Sequence, residues 1–152
     1  MGVKVTISTD KSRLDVVAVH RYLSEKSYWA AGRTIETVRQ SIDHSLCFGM
    51  YGPDDKLFGF ARVVTDHAVF AYLMDVFIFE EHRGKGLGKR LVEHILAFPA
   101  LKHISRWMLA TADAHGLYEK FGFGALAAPE KHMEKVDGQR SQTHRAVATT
   151  ER

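Results

Sequence analysis

Residues 83–89 (RGKGLGK) carry the residue types that bind a phosphate or pyrophosphate group. They follow an aromatic and β-branched run at 70–79 and precede apolar residues at helical spacing, namely Leu87, Leu91, Val92 and Ile95. A turn from a strand into a helix directs backbone N–H groups and the positive end of the helix dipole at one spot. Glycine lets the backbone approach an anion closely. The residues predicted to bind this anion are Arg83, Gly84, Lys85, Gly86, Leu87, Gly88 and Lys89.

The spacing of glycines in this loop limits which phosphate-containing ligands it could bind. A P-loop needs G-x-x-x-x-G-K-[ST], but Lys89 is followed by Arg90. The dinucleotide fingerprint G-x-G-x-x-G also fails, because position 89 is a lysine. The pattern R-x-x-G-x-G fits, with Arg83, Gly86 and Gly88. A glycine-rich strand–helix turn without any ligand is the alternative interpretation.

A second pattern follows the first along the chain. Residues 106–112 (RWMLATA) read as another buried strand, and residues 114–123 fit A-x-x-L-Y-E-K-x-G-F. With both patterns in this order, the chain resembles the GCN5-related N-acetyltransferase (GNAT) superfamily. The matching loop of that family binds the pyrophosphate of acyl-CoA.

The resemblance implies an α/β (α+β) fold, with a mixed, mostly antiparallel twisted sheet of six to seven strands and helices on both faces. It also implies a splay between two central parallel strands, residues 70–79 and 106–112. Acetyl-CoA, as co-substrate, would enter this gap, and the backbone of Phe77 and Ile78 would bind its pantetheine arm like an added strand.

Periodicity and turn signals predict the remaining elements. The predicted strands are residues 3–7, 46–51, 56–64, 70–79, 106–112 and 125–135. The predicted helices are one started by Ser12 and Asp15, one started by Thr34, residues 86–98 and residues 114–121. We predict one domain at residues 1–135 and a disordered polar tail at residues 136–152.

Tyr118 occupies the place of the tyrosine that, in the family, lies beside the CoA sulfur. The resemblance therefore implies that Tyr118 is the general acid for the leaving thiolate. The alternative is a packing tyrosine on a short helix.

Asp75 is the second candidate catalytic residue, since it is the only charge inside the run at 70–79. A buried carboxylate is costly unless it is paired or functional. Asp75 is either a base or an anchor for the acceptor ammonium, or it forms a salt bridge with an Arg or Lys. Strand alternation predicts that it shares a face with Leu73, Phe77 and Phe79.

Many family members carry an asparagine that contacts the cofactor where this chain has Thr111, so Thr111 is predicted to make that contact through its hydroxyl. Asp113 is predicted to cap the following short helix. The resemblance implies that residues 27–33 and 125–132 shape the acceptor site. Tyr28 and Trp29 either wall a pocket there or fill the core.

The composition bears on three other kinds of function, namely nucleic-acid binding, membrane spanning and metal binding. The chain has 152 residues, 45% of them hydrophobic, and a net charge of +3, which favours one domain and gives little support to nucleic-acid binding. No apolar run reaches the ~20 residues that cross a bilayer. Cys47 is the single cysteine and the histidines lack metal spacing, so no metal is predicted. A cytoplasmic location is expected, and a homodimer is left open.

The leading hypothesis is an N-acetyltransferase that transfers the acetyl group of acetyl-CoA by direct attack of a primary amine, expected to belong to a small molecule. The first alternative is a non-catalytic acyl-CoA-binding sensor or interaction module. The second is nucleic-acid binding through the basic loop.

Overall fold

The computed structural model describes residues 2–137. Most of the tail predicted to be disordered, residues 138–152, lies outside the described residues. The strands are β1 Thr6–Ser8, β2 Leu46–Tyr51, β3 Leu57–Thr65, β4 Phe70–Ile78 and β5 Arg106–Met108. The helices are α1 Val16–Lys26, α2 Ile35–Asp43, α3 Leu87–Leu96 and α4 His115–Glu119, with short 3₁₀ turns between some of these elements.

The five strands form one sheet in chain order. Neighbouring strands from β1 to β4 are antiparallel, and β5 pairs with β4 in parallel. The mixed, mostly antiparallel sheet is therefore confirmed, although the described residues form five strands rather than six or seven. Because no strand of the described chain lies beyond β5, β5 is an edge strand and not a central one.

Helices cover both faces of the sheet, as predicted. On one face α1 and α2 bury Val19, Leu23 and Val38 against β2, β3 and Phe77. On the other face α3 buries its apolar stripe, which is Leu87, Leu91, Val92 and Ile95. The two cores lie on opposite faces of the sheet, so β4 is packed between two apolar layers.

Side-chain caps begin the first two helices. The Asp15 carboxylate accepts the N–H of Ala18, and the Thr34 hydroxyl accepts the N–H of Thr37. Thr34 was predicted as a cap. Ser12 was paired with Asp15 in the prediction, but it lies in a separate 3₁₀ turn, and its N–H donates to Asp10.

A β-bulge in β4 interrupts the alternation of its side chains. Phe60 pairs with Phe77 and Arg62 with Met74, so two steps of β3 face three steps of β4. Asp75, at this bulge, has a φ of 56°, in the left-handed region. Leu73 packs with α3, whereas Phe77 packs with α1 and α2. The predicted shared face of Leu73 and Phe77 is thus wrong, because the extra residue moves the side chains after it to the opposite face.

The splay follows from short pairing between β4 and β5. Their register covers only residues 70–72 of β4 and 106–108 of β5. Residues 109–112, predicted as strand, leave the sheet after Met108. The rest of β4, from Leu73 to Ile78, has no partner on that side within the described chain, so a gap opens between the two strands.

The strand predicted at residues 125–135 is not present. This segment contains one 3₁₀ turn, Pro129–Lys131, and Met133 is 99% exposed. Proline has no N–H for a strand ladder, and the alanines at 125, 127 and 128 have low β-propensity. The alternation of apolar residues there is too weak to outweigh these two effects.

The cap of α1 provides a test of the fold. Replacing Asp15 by Ala leaves the N–H of Ala18 without its acceptor and should lower the free energy of unfolding by about 1 kcal/mol in urea denaturation. Asp15→Asn is the matched control, because asparagine caps as well as aspartate. Equal stability of the Ala and Asn variants would contradict this role for Asp15.

Candidate functional site

A cavity of about 420 Å³ lies between the end of β4 and the segment that follows β5, and we refer to it as the splay cavity. Its walls come from the end of β4, the loop before α3 and the segment around α4. The predicted site residues that line it are Phe77, Ile78, Arg83, Gly84, Gly86, Leu87, Gly88 and Tyr118. Asp75, Lys85, Lys89 and Thr111 are not among its lining residues.

The loop at residues 83–89, here called the anion loop, presents unpaired backbone donors. No acceptor for the N–H groups of residues 84–89 is found within residues 2–137, and α3 has no side-chain cap. Helix dipoles and free N–H groups together attract anions. The arrangement therefore fits the diphosphate of a CoA-type ligand.

Two glycines of the anion loop are required by backbone conformation. Gly84 has a φ of 77° and Gly86 a φ of 74°, and a Cβ on either would meet no atom within 4 Å. The left-handed backbone, rather than crowding by the protein, thus demands glycine there. Gly88 differs, because a Cβ there would make only ordinary contacts at 3.9 Å or more and its φ is not positive. The protein's own packing leaves room at Gly88 on the cavity side.

The three basic side chains of the anion loop differ in their contacts. Lys85 and Lys89 are exposed and have no ion pair within the described residues. The Arg83 guanidinium instead donates to the carbonyl of Ile78, with Nε 2.9 Å from the oxygen, and to the hydroxyl of Tyr22. Arg83 thus ties the loop to β4 and α1, and its contact with phosphate stays a prediction.

Tyr118 lies at the other wall of the splay cavity, on α4. Its side chain is buried, and its hydroxyl has no hydrogen-bond partner within residues 2–137. Burial, with smaller effects of Tyr28 and Asp113, raises the pKa of Tyr118 to about 12. The phenol therefore keeps its proton at neutral pH and has it free to donate.

Asp75 forms a buried charge cluster with the α1–α2 loop and β3. Its side chain is 1% exposed. Oδ1 accepts the indole N–H of Trp29 at 2.8 Å, and Oδ2 accepts from Arg33 and Arg62, each at 2.9 Å. The salt bridge weighed as an alternative is therefore present, and it involves two arginines.

This geometry bears on the catalytic hypothesis for Asp75. Both carboxylate oxygens already accept hydrogen bonds, and Asp75 does not line the splay cavity. Trp29 does line it, so the effect of Asp75 on the cavity passes through this indole. The geometry favours a positioning role, and a direct role as base stays an untested prediction.

The cap predicted from Asp113 at the start of α4 is wrong, and Thr111 accepts a backbone N–H there instead. The Thr111 hydroxyl accepts the N–H of Ala114 at 3.0 Å, whereas α4 has no side-chain cap from Asp113. Asp113 is exposed and lines the splay cavity. The predicted contact of Thr111 with the cofactor remains untested.

Seven residues that line the splay cavity were not predicted as binding residues, among them Tyr22, His82 and Trp29. Tyr22 stacks on Phe77 with ring centroids 3.9 Å apart, and His82 stacks on Phe58 at 3.5 Å. Burial lowers the pKa of His82, so its ring stays neutral. Trp29 was named only as a possible wall. The helical spacing of Tyr22 beside Val19 and Leu23 signals burial but not that the ring reaches this cavity.

Comparison with known proteins shows the family of this chain. Residues 16–123 match the model of the Acetyltransferase (GNAT) family. This chain belongs to the GNAT acetyltransferase family. The match covers β2 to β5, all four helices and every residue that lines the splay cavity, including those of the anion loop. Acyl transfer is therefore the class of activity.

Individual relatives agree with the family. A candidate acetyltransferase of Gibberella zeae is 32% identical over 133 residues, which cover 75% of each chain. The crystal structure of a candidate GNAT acetyltransferase from Xanthomonas campestris pv. campestris is 44% identical, with a TM-score of 0.87 over 90% of this chain and 96% of that one. Glucosamine-6-phosphate N-acetyltransferase of Arabidopsis thaliana shares the fold alone, at 17% identity and a TM-score of 0.59 over 88% and 98% of the two chains.

Residues 2–137 contain neither a metal-binding cluster nor a membrane-spanning helix. No group of three or more His, Cys, Asp or Glu side chains there has the geometry to hold a metal ion. No helix in the same range is long and apolar enough to cross a membrane.

The anion loop provides the first test of the site. Gly86→Val places a β-branched residue at a φ of 74° and fills the cavity side of the loop. We expect CoA affinity in calorimetry to fall at least ~10-fold. Gly32→Val is the control, because Gly32 has a φ of 78° with no atom within 4 Å but lies in the α1–α2 loop. Equal CoA affinity of the Gly86 variant and the native chain would contradict the assignment.

The charge cluster provides a second test. Asp75→Asn leaves Arg33 and Arg62 without their buried counter-charge, and breaking a buried pair costs about 3–5 kcal/mol. We expect a loss of this size in the free energy of unfolding, measured with urea. Asp55→Asn is the control, since its ion pair with Arg13 is exposed and should contribute little. A stable Asp75 variant would show that the cluster does not hold the fold.

Proposed function

We propose that this protein is an N-acetyltransferase that transfers the acetyl group of acetyl-CoA to a primary amine of a small molecule. One observation carries the proposal: within residues 2–137, the splay cavity has N–H donors without an acceptor at one wall and a protonated phenol without a hydrogen-bond partner at the other. Family membership gives the acyl-transfer class, and the cavity favours CoA as the donor.

The residues of this chain fit acyl-CoA in kind and order. The N–H groups of residues 84–89 would hold the diphosphate, with Lys85 and Lys89 adding charge at the exposed rim. The unpaired side of β4 near Phe77 and Ile78 would hold the pantetheine amides. One departure is that the Ile78 carbonyl already accepts from Arg83.

Bound acyl-CoA supplies a thioester carbonyl carbon, at which a neutral amine forms a C–N bond while the C–S bond breaks. The amine loses one proton, and the sulfur gains an electron pair and one proton. Tyr118 would supply the proton to the sulfur, because its hydroxyl is protonated and has no competing partner among the described residues. The proton of the amine would pass to solvent water, which would also return a proton to Tyr118, and a direct role of Asp75 as base stays a prediction.

The acceptor side would be formed by the α1–α2 loop. Trp29 lines the splay cavity, and Tyr28 packs against it edge to face. An aromatic wall suits an apolar or cationic acceptor. A cytoplasmic location and a homodimer remain proposals.

A non-catalytic acyl-CoA-binding module is the alternative from another class. It would keep the anion loop but would not need a donor at the sulfur. Incubation with acetyl-CoA and a panel of primary amines separates the two proposals, because only the enzyme releases free thiol and forms an N-acetyl product seen by mass spectrometry.

Tyr118→Phe tests the proposed mechanism. The variant keeps the ring that packs on Phe123 but loses the hydroxyl proton, so kcat should fall by ~10²-fold or more with little change in the KM for acetyl-CoA. Phe123→Leu is the control for packing.

The pKa of Tyr118 gives a second test of its role as proton donor. Because the Tyr118 phenol loses its proton only near pH 12, the native rate should not decline through loss of this proton between pH 7 and 10. Turnover by the Phe variant at the native rate, with chemistry rate-limiting, would show that Tyr118 only packs.

A further inference from the structure

Trp29 forms part of the wall of the splay cavity. The side chains around it in that wall include Val76, Phe77, Leu117 and Tyr118, which are apolar or aromatic. A wall of this kind contacts an alkyl chain without offering it hydrogen bonds. The size of Trp29 therefore sets how much apolar volume a ligand finds there.

The indole of Trp29 is held in place on the β4 side. Its N–H donates to Asp75 Oδ1 at 2.8 Å, and Asp75 is only 3% exposed. Arg33 and Arg62 fix the same carboxylate through its other oxygen. Rotation of the indole away from the cavity would leave a buried acceptor without its donor, which is unfavourable.

The neighbouring Tyr28 holds the wall on the other side of the gap. Its ring meets the Trp29 ring edge to face, with centroids 5.1 Å apart. The Tyr28 hydroxyl oxygen accepts the N–H of Ala112 at 2.6 Å, in the segment that follows β5. Residues 28 and 29 thus span from one splayed strand to the chain after the other, so the wall cannot easily widen.

The position of Trp29 along β4 decides which end of a ligand it faces. The anion loop follows Ile78, whereas the Trp29 contact with Asp75 lies about 10 Å earlier along β4, at about 3.3 Å per residue. A ligand whose phosphates lie at the anion loop reaches Trp29 with its opposite end. In acyl-CoA that end is the acyl group.

We propose that Trp29, held by Asp75, limits the acyl group accepted by this protein to short chains such as acetyl. The inference rests on the proposed function, because it needs acyl-CoA in the splay cavity. It goes further by assigning the selectivity among acyl donors to one residue. Each added methylene that cannot fit a closed apolar pocket reduces binding by about 10-fold or more.

Calorimetry without any amine tests this proposal separately from catalysis. The ligands are CoA, acetyl-CoA, butyryl-CoA and hexanoyl-CoA, each titrated into the native chain and into Trp29→Ala, Trp29→Phe and Trp107→Ala. Trp107 is the matched control, because it is the other tryptophan and lies on β5 outside the lining of the splay cavity. The measured quantity is the ratio of acetyl-CoA to hexanoyl-CoA affinity within each variant.

The native chain and Trp107→Ala should prefer acetyl-CoA over hexanoyl-CoA by at least ~10-fold. In Trp29→Ala this ratio should fall to within about 3-fold of unity. Trp29→Phe, which keeps a ring but loses the N–H, should lie between them. A general folding defect lowers all affinities of one variant together and leaves the ratio unchanged, so the ratio stays informative.

Two negative outcomes are distinguishable. If the native chain binds none of the four ligands, the proposed function fails and the selectivity falls with it. If the native chain binds CoA and all acyl-CoA chain lengths equally well, or if Trp29→Ala keeps the native ratio, acyl-CoA binding stands and the role of Trp29 is overturned.

Discussion

The structure depends on how it accommodates one buried carboxylate. Asp75 lies in the middle of β4 between two apolar layers, where an unpaired charge would be prohibitively costly. Two arginines and one indole meet that requirement, and they come from β3 and from the α1–α2 loop. The two arginines therefore neutralise the charge, and the contacts of Arg33 and Trp29 with Asp75 hold the α1–α2 loop beside the splay cavity.

The bulge at Asp75 has a second consequence. By adding one residue to β4, it turns Phe77 toward α1 and α2 and leaves Ile78 against α3. The pairing of β5 with β4 has already ended before this point, so this half of β4 has one unpaired edge within the described chain. A strand with one free edge, continued by a loop with free N–H groups, suits an extended ligand with an anionic end. The splay and the anion loop are thus parts of one binding surface.

The sequence predicts the local features of this site well. The anion loop, the cap at Thr34 and the helices and first four strands follow from glycine placement, capping chemistry and periodicity, and the structure places them within a few residues of the predicted bounds. Tyr118 lies in the same cavity as the loop, as the family resemblance implied. These features depend on neighbours in the chain, which a sequence displays directly.

The features that the sequence did not predict depend on contacts between residues that are far apart in the sequence. The bulge is a property of the register between β3 and β4, and the residue types in β4 do not predict it. The pairing of Asp75 with Arg33 and Arg62 joins three separate elements, so the sequence left both interpretations open. The strand expected at residues 125–135 shows the opposite error, in which a weak apolar pattern was given more weight than Pro129.

Amide hydrogen exchange with and without CoA tests most directly whether the splay cavity and the anion loop form one CoA-binding surface. Because the N–H groups of residues 84–89 have no acceptor within the described chain, CoA should slow their exchange most, with slower exchange also on β4 near residues 76–78. The β2–β3 turn at residues 52–55 should not change. Unchanged exchange at residues 84–89 under saturating CoA, or slowing confined to residues outside the splay cavity, would contradict the account.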